Sequence, residues 1–176
     1  KVLLVVITSN RGLCGGFNSS ITKEVIKTVK DKYNNVEVDL FAIGKKGGDV
    51  LSKQFNIVAT RNDIFDDLTF DNVAAIAENL MSMYAEGTYD KIEVLYNQFK
   101  NAATQIPQVE QFLPIKPIEG GADITNSDYI FEPSKEEIVL ALIPKSLKTQ
   151  LYKSIRDSFA SEHGARMTAM HKATDN

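Results

Sequence analysis

Cysteine is nearly absent. Cys14 is the one thiol in 176 residues, so no internal disulfide framework can form, which fits a reducing compartment. Long hydrophobic runs are missing too: no stretch approaches the roughly 20 apolar residues of a membrane-spanning helix. Histidine occurs only as His163 and His171, and no histidine–cysteine–carboxylate spacing suggests a metal site. Nor is there a surplus of one charge. With 20 Lys and Arg against 23 Asp and Glu, the formal net charge is -3, which gives no reason to expect a nucleic-acid partner. The acidic cluster Asp63, Asp66, Asp67 and Asp71 and the basic cluster Lys145, Lys148 and Lys153 read as solvated faces. A signal peptide and an initiator methionine are lacking, since strand signal begins directly after Lys1, and both ends are expected to be truncated.

What is present is the composition of a folded domain with a real core: 43% hydrophobic and 24% charged residues argue against disorder. Val2 to Thr8 is a β-branched and leucine run suited to a strand buried on both faces of a parallel sheet. A glycine-rich loop, Ser9 to Asn18, separates it from a helical pattern at Ile21, Val25, Val29 and Tyr33. The second unit predicts a strand over Val36 to Ile43, a glycine loop at GKKGGD, and a short helix through Val50, Leu51 and Phe55. A short strand over Ile57 to Thr60 follows. Asp71 is the expected N-cap of a helix with Val73, Ile76, Ala77, Leu80 and Tyr84 on one face, ended by Gly87. Further strands are expected over Lys91 to Asn97 and Val109 to Ile115, the latter near an edge because of Pro107, Pro114 and Pro117. This alternation predicts an α/β fold, an open sheet three layers deep. Asp123 to Asp128 reads as a polar connector before Tyr129 to Phe131. Ser134-Lys135-Glu136-Glu137 then reads as a capping box behind Pro133, opening a helix that Pro144 should kink or interrupt.

The first glycine loop invites two chemical readings. Glycines at the end of a buried strand hold nucleotide phosphates in many α/β proteins. Here Gly12, Gly15 and Gly16 do not match G-x-G-x-x-G, and Gly16 is followed by Phe17 and Asn18 rather than Lys-Ser/Thr. Gly12-Leu13-Cys14-Gly15-Gly16 does match G-x-C-x-G, the cysteine form of a nucleophile elbow. An α/β cysteine hydrolase using Cys14 is therefore the alternative function, although both histidines lie on a distant helix. A lone cysteine is more often a small buried hydrophobe. Asp66 and Asp67 are adjacent and have no partner across a cleft.

From Leu147, large apolar residues return every four positions at Leu151, Ile155 and Phe159, then at Met167 and Met170. Ala165, Ala169 and Ala173 form a second stripe, with Ala160 and Gly164 beside it. Small side chains in an i, i+4 row suit close approach of a second helix. With that helix absent, the segment from about Gly164 is expected to be poorly ordered, or ordered only by contact with another copy. Arg166 sits among Ala165, Met167 and Ala169, where the helix should face partners.

Three segments together resemble the gamma subunit of F-type ATP synthase: ITSNRGLCGGFN (Ile7–Asn18), YNQFKNAATQIPQVEQFLPI (Tyr96–Ile115) and SEHGARMTAMHKATDN (Ser161–Asn176). The resemblance covers essentially the whole chain. It implies a Rossmann-like globular domain over 1–133 and, over 134–176, the start of a long C-terminal helix belonging to a coiled-coil shaft. It further implies a non-catalytic rotor subunit that couples ion-driven rotation of a membrane c-ring to ATP synthesis or hydrolysis in the catalytic sector. The implied partners are the alpha, beta and epsilon subunits and the c-ring. The implied location is peripheral, at the cytoplasmic face of a bacterial plasma membrane or its equivalent. No catalytic, cofactor-binding or metal-binding residue follows from it. Arg166 matches an arginine that faces a loop of the beta subunit, and the implied partner surface comprises Arg166, Ala165, Met167, Ala169, Met170 and Ala173. Gly164 stands where the family usually has alanine, at a helix-propensity cost of about 1 kcal/mol. The failed glycine spacing predicts that titration calorimetry with ATP, ADP and NADH detects no specific binding. A micromolar dissociation constant, about -8 kcal/mol, lost on substituting Gly15 would overturn that.

Overall fold

The computed structural model of the protein describes residues 1–116 and 135–176, with side chains of the second span described from Leu142 onward. In chain order the elements are β1 (Val2–Ile7), α1 (Phe17–Lys32), β2 (Val38–Ile43), α2 (Lys45–Leu51), β3 (Asn56–Arg61), a 3-10 turn (Asp63–Phe65), α3 (Phe70–Ala85), β4 (Lys91–Asn101), β5 (Thr104–Leu113) and α4 (Lys135–Asp175). The strands form one sheet in the order β3-β2-β1-β4-β5. β1 runs parallel to β2 and β4, β2 runs parallel to β3, and β4 and β5 form an antiparallel hairpin.

Alternation along the strands divides the core. Leu3, Val5 and Ile7 of β1 point to the face covered by α3 and α4, joined there by Val73, Ile76, Leu80, Leu147, Leu151 and Ile155. Val2, Leu4 and Val6 point to the opposite face, where Ile21, Val25 and Leu51 of α1 and α2 cover them. Helices on both faces of a largely parallel sheet give the expected three-layer α/β architecture, here with an antiparallel edge.

Four local expectations are corrected. GKKGGD is not a loop: Gly44 precedes the helix and Lys45–Leu51 are helical. A Cβ on Gly47 would lie 2.7 Å from the Thr8 Cγ2, and the Gly47 N–H donates to the Thr8 Oγ1 at 2.8 Å, so α2 is packed onto the end of β1. The N-cap of α3 is Thr69, whose side chain accepts from the Asn72 N–H, and Asp71 lies within the first turn. The earlier start brings Phe70 edge-on to Tyr152 of α4, ring centroids 5.5 Å apart. β4 and β5 are longer than predicted because the polar NAATQ stretch is their hairpin tip, where the Ala103 N–H donates to the Asn101 Oδ1. Pro107 is tolerated because β5 is an edge. Finally, α4 is not interrupted by Pro144, which lies inside it. The ladder bond that proline removes is outweighed by burial of Leu147, Leu151 and Ile155 just beyond. The connector Asp123–Asp128, the Tyr129–Phe131 segment and the Ser134 cap lie outside the described residues.

Leu151 is fully buried between α4 and the sheet. Leu151→Ala should therefore destabilise the domain by about 3 kcal/mol through lost burial and the cavity left behind, read as a lowered midpoint in urea. A shift below about 0.5 kcal/mol would mean that α4 is not seated on the sheet.

Candidate functional site

At its C-terminal half, α4 leaves the sheet and meets three surroundings. On one flank stands the β4–β5 hairpin. The Ser161 Oγ donates to the Asn97 carbonyl at 3.0 Å, and the Thr168 Oγ1 lies 2.9 Å from the Ala102 carbonyl. Asn97 is fully buried; its Nδ2 donates to the Phe17 carbonyl and its Oδ1 accepts from Ser20. One asparagine thus ties β4, the start of α1 and α4 together, with both ends of its amide satisfied. Nearby, burial and then the Glu110 carboxylate hold the Tyr96 hydroxyl well above its usual range. It therefore stays a donor to Glu110, at 2.6 Å, across the hairpin.

The other flank is the glycine loop. Asn18 closes it, accepting from the Ser9 N–H at 3.0 Å and donating to the Ser9 Oγ at 2.7 Å. Ala165 is buried against Cys14 and Phe17. A Cβ on Gly15 (φ 59°) would touch the Ala165 carbonyl and the Ala169 methyl, each at 3.9 Å. Arg166 is only 14% exposed; its Nη2 donates to the Glu162 Oε1 at 2.7 Å and reaches toward the Arg11 and Gly12 carbonyls at 3.5 Å. At the loop tip Leu13 takes φ 61° and points its side chain outward.

The third face is open and is lined by His163, Arg166, Met167, Met170, His171 and Thr174. Met167 and Met170 are more than half exposed, at 59% and 54%.

The small-residue stripe is therefore not the bare face. Ala165 is buried and Ala169 half-buried beside the chain's own loop, and only Ala173 is exposed. Helical phase gives the reason. Ala165, Ala169 and Ala173 lie eighteen residues after Leu147, Leu151 and Ile155, which is five full turns at about 3.6 residues per turn. They continue the core-facing side, and they are small because loop backbone, not sheet side chains, lies opposite. The large apolar stripe repeats every four residues and so winds about 40° per step. It starts in the core at Leu147 and ends facing outward at Met167 and Met170. Nor is the segment from Gly164 left without contacts in this chain: it is helical to Asp175, with Gly164 itself buried against the hairpin. Asn97 was missed as a determinant; the polar residue that ends the apolar run Val94–Tyr96 was the available signal.

The hydrolase alternative does not survive the geometry. Cys14 is 2% exposed, its Sγ 3.4 Å from the Asn18 Nδ2 and 3.8 Å from the Ser9 Oγ. Both histidines line the open face of α4, opposite the flank that covers Cys14, and His163 packs edge-on against Phe159 with ring centroids 4.5 Å apart. A nucleophilic cysteine needs a base within hydrogen-bond reach. Among the described residues, no cluster of His, Cys, Asp and Glu could hold a metal ion, and no helix is long and apolar enough to cross a membrane.

The sequence profile of the family described as ATP synthase matches residues 1–176. The chain belongs to the ATP synthase family. It is 69% identical to the ATP synthase gamma chain of Flavobacterium johnsoniae and 41% identical to that of a Geobacter species, aligned over all of this chain in each case. The chain spans 61% and 62% of those relatives' lengths. A chain in the central stalk and c-ring structure of Tetrahymena thermophila mitochondrial ATP synthase superposes with a TM-score of 0.77 at 29% identity, covering 99% of this chain and 76% of that one. Cys14 is a packing residue of the loop, buried with Phe17 and Ala165. It should alkylate slowly at neutral pH, and Cys14→Ser should cost about 1 kcal/mol of stability. Fast alkylation, with an esterase activity lost in Cys14→Ser, would restore the hydrolase.

Proposed function

We propose that this chain is the globular part, and the beginning of the returning shaft helix, of a rotor subunit of F-type ATP synthase. It carries no catalytic site of its own. It couples ion-driven rotation of a membrane c-ring to ATP synthesis or hydrolysis in a sector built from alpha and beta subunits, and its globular domain meets the epsilon subunit and the ring. The same reading places it peripherally, on the cytoplasmic face of a bacterial plasma membrane or the equivalent surface. Residues 1–133 serve as the domain and 134–176 as the shaft segment, whose first buried turns double as a layer of the domain.

The observation that carries this reading is the open face of α4. His163, Met167, Met170, His171 and Thr174 recur at three- and four-residue steps along one side of a helix that the domain grips on its other two sides. That spacing is the seam of a helix–helix contact. Gamma-chain relatives extend well beyond this span, which supports a further helix of the same polypeptide as the occupant. For contact with partners we propose Met167, Met170 and Ala173 as the exposed group, Arg166 at its edge, and Ala165 and Ala169 as the small-residue backing that the loop holds in place.

The test is Met167→Asp with Met170→Asp in the full-length subunit. These exposed positions should change domain stability by less than about 0.5 kcal/mol. A buried, unpaired charge in the seam should nevertheless block assembly into a complex that pumps ions on ATP hydrolysis. Normal assembly and pumping by the double variant would overturn the assignment of this face.

A further inference from the structure

Apolar contacts such as those of Leu147, Leu151 and Ile155 are non-directional and let a helix roll on its bed. Hydrogen bonds and close backbone approach are directional. Past Ile155 the seating of α4 changes from the first kind to the second. On the hairpin side, Ser161 bonds the Asn97 carbonyl and the Thr168 hydroxyl lies within bonding distance of both the Ala102 carbonyl and the Gly164 carbonyl. Gly164 is so near the hairpin tip that an added Cβ would stand 3.0 Å from the Ala102 Cα, 3.1 Å from its carbonyl oxygen and 3.4 Å from the Phe99 ring. On the loop side, Ala165 is buried on Cys14 and Phe17, while Glu162 holds Arg166 toward the carbonyls of Arg11 and Gly12.

We propose that the hairpin tip and the glycine loop are two jaws that fix the angle of α4 about its own axis, with Gly164 and Thr168 positioning the hairpin jaw and Glu162 and Arg166 the loop jaw. At about 100° per residue, residues 161, 164 and 168 point to one side, 162, 165, 166 and 169 to another, and the open seam lies between them. A roll in either direction drives α4 into one jaw as it leaves the other. The hairpin is stiff enough for the task because β4 and β5 stay paired out to Asn101 and Thr104, and the loop because Asn18 and Ser9 cross-link it. Gly164 sets the depth: an alanine there would have to push the hairpin back by a few tenths of an ångström. This rests on the rotor reading, and it names where turning force passes between helix and domain.

Hydrogen exchange on the full-length subunit tests the jaws without the rest of the complex. Thr168→Val removes the hydroxyl at nearly constant volume, and Gly164→Val wedges the hairpin away. Both should speed exchange of amides in Lys100–Gln105 at least about tenfold while leaving those of Arg11–Phe17 unchanged, with Gly164→Ala intermediate. Glu162→Ala should do the converse. In the assembled complex, loosening both jaws should lower ions pumped per ATP hydrolysed by more than the two single-jaw losses combined. Unchanged exchange at the hairpin tip in both Thr168→Val and Gly164→Val would overturn the jaws. The expected exchange pattern with undiminished pumping would keep the jaws and remove their rotor role.

Discussion

A helix of 41 residues, about 60 Å at 1.5 Å per residue, rests on parallel strands of six residues, about 20 Å long. Everything distinctive about this fold answers that mismatch. Over the strands, α4 is an ordinary layer of an α/β domain, buried through Leu147, Leu151 and Ile155. Where β1 ends, support comes instead from the overlong β4–β5 hairpin and from the loop between β1 and α1. The buried amide of Asn97 pins both supports to each other. Beyond Thr168 the chain itself supplies little further cover, and the helix surface becomes the business of whatever packs against it.

The same geometry accounts for what became of the sheet's usual binding place. In open α/β sheets, ligands sit beyond the carboxyl ends of the strands, where the strand order reverses. Here that point lies between β1 and β4. It is filled by Phe17, Ser161 and Ala165, packed around Asn97 and Cys14. A Rossmann-like layout therefore carries no implication of a nucleotide at this position; the crevice is the socket of a helix.

The strand–helix alternation and the edge position of β5 were legible because they depend on short-range hydrophobic pattern. Gly47 inside α2 was not, because it is decided by a neighbour distant in sequence, Thr8. The cap of α3 is local, a bond from the Asn72 N–H to the Thr69 side chain, and was placed two residues late. The hairpin tip was left unassigned because what holds it against α4, the Ala102 backbone and the Phe99 ring, carries no short-range pattern. The alanine stripe was correctly seen as suited to close approach, yet assigned the wrong neighbour. Small residues announce a nearby backbone, and the sequence does not say whose. The methionines were misplaced by treating a four-residue repeat as one straight face, whereas it coils around the helix.

Helical phase in α4 is kept by residue count rather than by residue type. One residue added between Ile155 and Ser161 would turn every later contact by about 100°, carrying Met167 toward the hairpin jaw and Arg166 toward the seam, and one lost would turn them as far the other way. The Asn34–Glu37 connection after α1 meets no such condition, being exposed on the surface. Evolution is thus free to lengthen or trim the one and barred from doing so in the other, even where individual side chains in α4 could be exchanged.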